Sequence, residues 1–414
     1  MSIVNDVAEY IRQGETSSED LGLEIEHFIL NDKGMPIDFH TVSDLIRETA
    51  DRIGAELIFM DGFPVGYQTG EYSVTLEPSC QFEISISPYS DLDKIKDVYD
   101  DFLGTWEPVF SELGYRFETK GNMPLVENGT IDPDEIPLSP KKRYKYMDAY
   151  FRNTGNYGRY MMRASSSTQV SVDFKSEEDL VRKLSVLQKI SPVLMAMMEN
   201  KTDAGSTLKG HEDKPHLLRI QEWDDLDDSR TGFFPGSFDS DFGYEKAAEA
   251  ICSTPLILLT DDGETYDVSS SSALDLIEDG TVDISEADAK RRRSLIEHFI
   301  SMGFFHFRIK RYIEIRVADS VPIDQGLAYV ALLKGIVYSD EVLDILTQEL
   351  KDIDSPEKIQ NAVEEIEVSG LEAVIYDGKT VLQWAEHLIE LAGKNLSVKD
   401  KEYLKNVRAL WSNI

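Results

Sequence analysis

Two glutamates on one predicted strand are the first residues whose type and spacing could support chemistry. Glu24 and Glu26 lie two apart in the apolar stretch from Leu21 to Leu30, so both side chains leave the same face of the strand. Neighbouring carboxylates repel each other unless a cation lies between them, and their oxygens suit Mg²⁺. Taken alone, the pair is more typical of solvent-facing acids on an edge strand, so its interpretation depends on the other segments.

Three more predicted strands divide into a polar face and an apolar face in the same way. In the first of these, Gln81, Glu83 and Ser85 share a face, while Pro78 prevents the register from being extended back to Glu77. The polar faces of the other two contain Ser167, Gln169, Ser171 and Asp173, and Glu314 and Arg316. One such strand is ordinary, but four predict a concave sheet with a charged interior.

The charges of this interior favour polyphosphate chemistry. Glutamates in a funnel can hold more than one Mg²⁺ around a polyphosphate, and arginines neutralise a transferring phosphate or bind a carboxylate. The sequence contains no Walker A motif, no G-x-G-x-x-G and no H-E-x-x-H. The pattern therefore predicts nucleotide chemistry without a P-loop.

The elements that must position these residues alternate irregularly along the chain. Tyr160 to Phe174 and Arg308 to Ala318 read as strands, Ser176 caps a predicted helix that runs through Met198, and His211 to Ser240 is loop-like. From Asp324 onward the pattern is mainly that of amphipathic helices. We therefore predict an α+β body followed by a helical C-terminal part.

Composition limits the classes of partner and the compartment. The chain has 414 residues and a formal charge of −35, which excludes nucleic acid and anionic membranes as favoured partners. This acidity indicates solubility or, alternatively, a saline cytoplasm. Cys80 and Cys252 cannot form a disulfide framework, the stretch from Met1 to Arg12 lacks the apolar core of a signal peptide, and no apolar run would span a bilayer. We predict a cytoplasmic protein.

Five segments, in order between about residues 20 and 320, resemble the glutamate–cysteine ligase family of the plant and proteobacterial type. They comprise residues 22–28, 76–83, 161–173, 219–232 and 310–316. This family belongs to the glutamine-synthetase-like carboxylate–amine ligases. The resemblance implies a curved, mainly antiparallel sheet that forms a funnel-shaped active site flanked by helices. It also implies a catalytic domain over residues 1–320, on which a helical region over 321–414 packs.

The resemblance further implies a reaction and its participants. The side-chain carboxylate of L-glutamate would be activated by ATP as a γ-glutamyl phosphate and joined to the amine of L-cysteine, the first step of glutathione biosynthesis. Two or more Mg²⁺ ions would assist, and the protein would be a monomer or a homodimer. By its motifs, the implied metal ligands are Glu24, Glu26, Glu77, Glu83, Gln169 and Glu314.

The remaining roles implied by the resemblance fall on basic and aromatic residues. Arg316 would stabilise the transferring phosphoryl group, and Arg230 would bind the α-carboxylate of the substrate glutamate, a task for a planar bidentate donor. Trp223 and Arg163 would line the amino-acid pocket. The nucleotide would be approached by Lys310 or Arg311.

The chain departs from the family pattern at positions where members commonly have glycine. Here Ser79-Cys80 replaces two glycines, and Val317 and Ser320-Val321 stand after the last motif. Glycine allows close backbone approach to a ligand, so these changes concern the amine-acceptor pocket. Two alternatives stay open: a γ-glutamyl ligase with a different small amine acceptor, and a non-catalytic acidic binding protein with the same fold. A guanidino kinase is a third, more distant one. Cys80 is expected to be a small buried side chain rather than a nucleophile.

Overall fold

A computed structural model of the chain describes residues 2–79, 81–268, 270–285 and 287–413. Cys80, with its expected burial, lies outside these ranges. The strands are β1 (Leu21–Asn31), β2 (Glu56–Met60), β3 (Phe63–Gln68), β4 (Tyr72–Leu76), β5 (Phe82–Tyr89), β6 (Tyr115–Glu118), β7 (Ser167–Val172), β8 (Leu259–Asp261), β9 (Glu264–Tyr266), β10 (Phe307–Ile309) and β11 (Ile313–Asp319).

The helices surround the strands in sequence and dominate the last hundred residues. They are α1 (Ile3–Arg12), α2 (Phe39–Ile53), α3 (Leu92–Glu112), α4 (Pro124–Glu127), α5 (Lys142–Phe151), α6 (Gly158–Ala164), α7 (Glu177–Met197), α8 (Leu218–Asp224), α9 (Tyr244–Ser253), α10 (Ala273–Glu278), α11 (Ala289–Ser301), α12 (Ile323–Val337), α13 (Asp340–Glu349), α14 (Pro356–Ser369), α15 (Val381–Asn395) and α16 (Val398–Leu404). Short 3₁₀ helices occupy Pro133–Glu135, Gly370–Glu372, Tyr376–Gly378 and Lys405–Asn413.

One antiparallel sheet organises the molecule. Its strand order is β10-β11-β7-β1-β5-β4-β3-β2, with β6 paired to the end of β1. The small β8–β9 hairpin, which turns at Asp262-Gly263, lies apart from it. Helices and antiparallel strands are thus mixed along the chain, which confirms the predicted α+β class.

Strand β1 lies between β7 and β5 in the sheet, and its two faces differ in polarity. Leu21, Leu23 and Ile25 are fully buried, and helix α12 packs on this face, with Gly326 close to Ile25. Helix α12 is apolar on nearly all sides, as expected for a helix inside a core. Glu24 and Glu26 leave the opposite face of the strand.

The core is continuous across the predicted boundary near residue 320. A single hydrophobic cluster includes residues from β1 and from helices α12 to α15. The division into residues 1–320 and 321–414 therefore separates strand-rich sequence from helix-rich sequence, and the apolar packing runs through both parts.

The sheet register brings the polar residues of separate strands together. Glu26 lies opposite Glu83 on β5, and Glu24 lies opposite Gln169 on β7. Side chains directly opposite each other on one face have Cβ atoms about 5 Å apart. The residues that were predicted to share a funnel are therefore neighbours on adjacent strands.

Three predicted elements differ in the structure. The strand predicted from Tyr160 to Phe174 begins as helix α6, because methionine, arginine and alanine favour helix there, and only Ser167–Val172 is a strand. The strand predicted from Arg308 to Ala318 is a hairpin of β10 and β11. The loop-like stretch from His211 to Ser240 contains helix α8. By contrast, Ser176 caps α7 as predicted.

Among the described residues, none of the helices combines the length and the apolar character needed to cross a bilayer.

The net charge of −35 predicts a salt-dependent stability. Raising NaCl from 0.1 to 1 M shortens the screening length from about 10 Å to about 3 Å and so weakens the repulsion among surface carboxylates. We expect the unfolding temperature at pH 7.5, measured by calorimetry, to rise by a few degrees, where about 2–4 °C corresponds to 1 kcal/mol in a large domain. At pH 4.5, near the sequence pI, the rise should be much smaller. An equal rise at both pH values would show that charge repulsion is not the cause.

Candidate active site

A cavity of about 390 Å³ opens on the polar face of the central sheet. We call it the funnel. Of the predicted site residues, the funnel is lined by Glu24, Glu26, Glu77, Glu83, Gln169, Trp223, Lys310, Glu314 and Arg316. The structure therefore brings together residues from five separate motifs, over nearly three hundred positions of sequence.

One half of the funnel is acidic. Burial, together with the nearby Glu77, raises the pKa of Glu26 from 4.5 to about 7. Burial and repulsion from Glu24, Glu77 and Glu26 raise the pKa of Glu83 well above its usual range. The pKa of Glu24 is raised by burial and by Glu314. These carboxylates are thus held in mutual repulsion that a bound cation would relieve.

Hydrogen bonds fix the carboxylate of Glu26 within this acidic half. It accepts the backbone N–H of Ser167 at 2.8 Å and the Ser167 hydroxyl at 3.0 Å, and Gln169 Nε2 donates to it at 3.2 Å. Its orientation is therefore set by β7, the neighbouring strand.

The other half of the funnel is cationic. Arg308 Nε and Lys310 Nζ each lie 2.6 Å from Glu314, and Arg316 Nη1 lies 3.1 Å from it. Although burial opposes ionisation, these three cations hold the pKa of Glu314 far below its usual range. Glu314 is thus ion-paired in this structure, while its prediction as a metal ligand stays a prediction.

Arg316 lies at a β-bulge of β11. The pairing of β11 with β7 shifts between Ile315 and Ala318, so one extra residue is accommodated on β11. On the other side of β11, the Arg316 N–H donates to His306 O at 3.0 Å and continues the pairing with β10. The guanidinium donates to Gln169 Oε1 at 2.5 Å and lies 3.1 Å from Glu314, so it lies between the acidic and cationic halves.

The donor chemistry of the acidic half fits Mg²⁺, but the residues do not form a closed metal cage. Within the ranges that the structure describes, no group of three or more His, Cys, Asp or Glu side chains is gathered as a metal site. Mg²⁺ commonly binds through one or two carboxylates together with substrate phosphates. The arrangement is therefore of the kind that would receive the ion along with a polyphosphate.

Arg230 does not line the funnel. Its side chain is completely buried, and each of its nitrogens is engaged: Nε with Asp227 at 2.6 Å, Nη1 with Pro255 O at 2.5 Å and Nη2 with the Tyr150 hydroxyl at 3.1 Å. These contacts place Arg230 in the scaffold that joins helix α5 to the loop after α8. Its predicted role as a carboxylate ligand would require all three contacts to be given up.

Arg163 and Arg311 also lie outside the funnel lining. Arg163, at the end of α6, is ion-paired with Asp148, and Arg311 donates to Gln13 O at 2.9 Å in the β10–β11 turn. The roles that the family resemblance implies for these two arginines therefore stay predictions that the funnel lining does not support.

Three arginines near the funnel were missed by the sequence analysis. Arg143 and Arg308 line it, and Arg219 reaches its wall from helix α8, where Nη2 donates to Arg316 O at 3.0 Å. Arg219 is buried, yet its Nε and Nη1 have no hydrogen-bond partner in the described part of the chain. Arg308 was missed because residues 308–318 were predicted as one continuous strand, whereas Arg308 lies on β10 and pairs with Glu314 on β11 across a turn.

Three of the described positions at which the family commonly has glycine, Val317, Ser320 and Val321, are buried. The Ser320 hydroxyl donates to Glu26 O at 2.6 Å, and Val321 N donates to the Thr168 hydroxyl at 3.1 Å. Val317 is 1% exposed. These side chains are accommodated within the sheet and leave the funnel open.

Comparison with known proteins assigns a family to this arrangement. A family model described as glutamate-cysteine ligase family 2 matches residues 20–405. Among curated proteins, the chain is similar to glutamate–cysteine ligase A, chloroplastic, of Oryza sativa subsp. indica, with 27% identity over 99% of this chain and 82% of that protein. It is also similar to the chloroplastic glutamate–cysteine ligase of Brassica juncea, with 27% identity over 94% of this chain and 74% of that protein.

Among solved structures, the chain resembles a glutamate–cysteine ligase from Francisella tularensis in complex with AMP. The TM-score is 0.50 at 15% identity, over 96% of this chain and 82% of that one. At this identity the similarity concerns the fold.

Proposed function

Because the chain belongs to glutamate–cysteine ligase family 2, we propose that it catalyses the ATP-dependent formation of γ-glutamylcysteine from L-glutamate and L-cysteine. The observation that carries the proposal is the division of the funnel into facing acidic and cationic halves. The AMP bound to the Francisella tularensis enzyme supports a nucleotide as the co-substrate.

The cationic half would bind and activate the phosphates. Arg308 and Lys310 would neutralise the charge of the polyphosphate, and Arg316 would stabilise the γ-phosphoryl group as it moves to the glutamate side chain. The carboxylate oxygen forms a bond to the γ-phosphorus while the bond to ADP breaks. The cysteine amine then attacks the γ-carbonyl carbon and phosphate leaves.

The acidic half would hold Mg²⁺ that enters with the nucleotide. Glu24, Glu26 and Glu83 are the best-placed ligands, because all three line the funnel and a cation between them would relieve the repulsion that neighbouring carboxylates exert on each. The ion would supply charge neutralisation at the phosphate oxygens.

Arg219 replaces Arg230 as the proposed ligand for the α-carboxylate of the substrate glutamate. Its buried guanidinium has two nitrogens without partners, and a planar fork of this kind fits a carboxylate. Trp223 would form the adjoining wall.

Phosphate release from ATP, with Mg²⁺ and L-glutamate, tests the function. We expect strong stimulation by L-cysteine and formation of γ-glutamylcysteine, identified by mass spectrometry. Stimulation by another small amine alone would keep the mechanism and change the acceptor. Absence of phosphate release with every acceptor would favour the binding-protein alternative, and phosphorylation of a guanidine without phosphate release would favour the kinase.

The role of Arg219 can be tested by Arg219→Lys. A lysine keeps the charge but loses bidentate geometry, so we expect the KM for L-glutamate to rise about 10- to 100-fold, equivalent to the loss of a charged hydrogen bond. The KM for ATP should change little. Arg47→Lys, at an exposed position of α2, is the matched control. An unchanged KM for glutamate in Arg219→Lys would reject the assignment.

A further inference from the structure

A second cavity, of about 460 Å³, shares a wall with the funnel. Helix α8 contributes to both: Trp223 lines the funnel, whereas Leu218 and Glu222 line the second cavity. We call this space the α8 cavity. Its other walls come from helix α4, from Tyr160 on α6 and from the segment 203–212.

Glu222 is the unusual residue of the α8 cavity. Its side chain is completely buried, and Oε1 accepts a hydrogen bond from Asn122 Nδ2. Its other oxygen, Oε2, has no hydrogen-bond partner in the described residues. A buried carboxylate oxygen without a partner is costly, so its presence in the wall of a cavity calls for a ligand group.

Other acids around the α8 cavity already have partners. Glu127 accepts the backbone N–H groups of Thr202 and Asp203 at 2.9–3.0 Å. Glu212 accepts the N–H of Gly210 at 2.9 Å. These carboxylates organise the cavity wall, and their charge makes its interior unfavourable for an anionic ligand.

We propose that the α8 cavity binds a small molecule with a primary ammonium group, which donates to Glu222 Oε2 while its hydrocarbon part packs on Val126, Leu208 and Leu218. All three apolar side chains line the cavity and are at most 5% exposed. The volume lies within the range of about 300–1,000 Å³ that is usual for small-molecule sites. The proposal concerns a site apart from the funnel and does not depend on the ligase reaction.

The charged side chains that line the α8 cavity together with Glu222 are mainly acidic: Glu127, Asp203 and Glu212, with Lys209 as the basic one. Burial raises the pKa of Glu222 well above its usual range; Asn122 and Arg219 oppose this shift, and Asp319 and Glu127 add to it. Tyr157 and Tyr160 also lie near this carboxyl group. Tyrosine is ordinarily uncharged at neutral pH, and burial raises the pKa of both further. An ammonium group would bind the ionised form, so binding should release a proton from Glu222 at neutral pH.

Calorimetric titration of the full chain with cyclohexylammonium chloride tests the proposal. This probe has one ammonium group on a compact hydrocarbon, and cyclohexanol is its uncharged counterpart. We expect the ammonium to bind and cyclohexanol to bind at least tenfold more weakly. Glu222→Gln keeps the acceptor for Asn122 but removes the charge, and it should weaken ammonium binding about 10- to 100-fold. Glu365→Gln removes a charge at an exposed position of α14 and should leave binding unchanged.

Three results would overturn the proposal. These are no binding of the ammonium probe by the wild-type chain, equal binding by Glu222→Gln, and equal binding of cyclohexanol. If the unfolding temperature of Glu222→Gln differs from that of the wild type, the variant cannot serve as the test. The wild-type chain is then titrated at pH 5.5 and pH 8 in buffers of different ionisation enthalpy. Tighter binding at pH 8, with proton release, supports the site, and pH-independent binding without proton release rejects it.

Discussion

Glu26→Gln is expected to abolish ligase turnover, with kcat reduced about a thousandfold or more, while the fold is retained. The variant keeps the shape of the side chain and one acceptor oxygen, and it removes the charge that faces Glu83 and Glu77. The amide NH2 takes the place of one of the two oxygens that accept hydrogen bonds from Ser167 and Gln169. Electrostatic stabilisation around a transferring phosphate amounts to several kcal/mol, and each 1.36 kcal/mol corresponds to about tenfold in rate. Phosphate release under saturating ATP, glutamate and cysteine measures the effect.

The same variant has an opposite effect on stability. The pKa of Glu26 is about 7 in the folded chain, above the ordinary value of 4.5. Its proton therefore favours the folded state at acidic pH, and this contribution is lost as the pH rises from about 4.5 through 7. At pH 8 without Mg²⁺, Glu26→Gln should consequently unfold at a higher temperature than the wild type. Mg²⁺ with ATP should raise the unfolding temperature of the wild type more than that of the variant.

Glu56→Gln, at an exposed position of β2 in the same sheet, is the control for both measurements. It should retain wild-type turnover and wild-type dependence of stability on pH. Full turnover by Glu26→Gln would remove the metal-site argument altogether.

Arg230→Ala is expected to destabilise the protein by about 3–5 kcal/mol, the range observed when one partner of a buried ion pair is removed. The loss would leave Asp227 without its cation and would also remove donors to Pro255 O and the Tyr150 hydroxyl. Denaturant unfolding followed by tryptophan fluorescence measures the change. Arg230→Lys should fall between the wild type and the alanine variant, since lysine can replace only part of the three-way contact.

This prediction separates a scaffold residue from a substrate ligand. For a scaffold residue, Arg230→Lys lowers the stability and leaves the KM for glutamate of the remaining folded enzyme nearly unchanged. A large rise in that KM at wild-type stability would instead restore the role that the family resemblance implied for Arg230.

Sequence alternation was sufficient to predict the four funnel residues that three strands contribute. The period of two in β1, β5 and β7 places Glu24, Glu26, Glu83 and Gln169 on one face, and antiparallel pairing then makes them neighbours. The pattern could not predict that Glu314 is surrounded by three cations, because Arg308 comes from a second strand beyond a turn. The bulge at Arg316 could not be predicted either, because an extra residue changes the pairing between two strands and not the alternating pattern of one sequence.

The predicted roles that the contacts do not support concern arginines whose neighbours are distant in sequence. Arg230 and Arg219 are both basic residues in one family-like segment, and only the partners of each guanidinium distinguish them. Arg230 is saturated by α5 and the loop after α9, whereas Arg219 retains unpartnered nitrogens beside the funnel. The sequence of one segment identifies the residue types, but it does not predict which tertiary contacts each side chain makes.

The packing of helix α12 against strand β1 has a consequence for how the chain folds. Strand β1 carries the first residues of the funnel, yet the helix that covers its apolar face is about three hundred residues later in the sequence. Pairing with β7 and packing against α12 require long-range loop closure, which slows folding. During synthesis, the apolar face of β1 therefore stays uncovered until the residues beyond 320 have been made. A nascent chain that stops before residue 320 would expose an aggregation-prone strand.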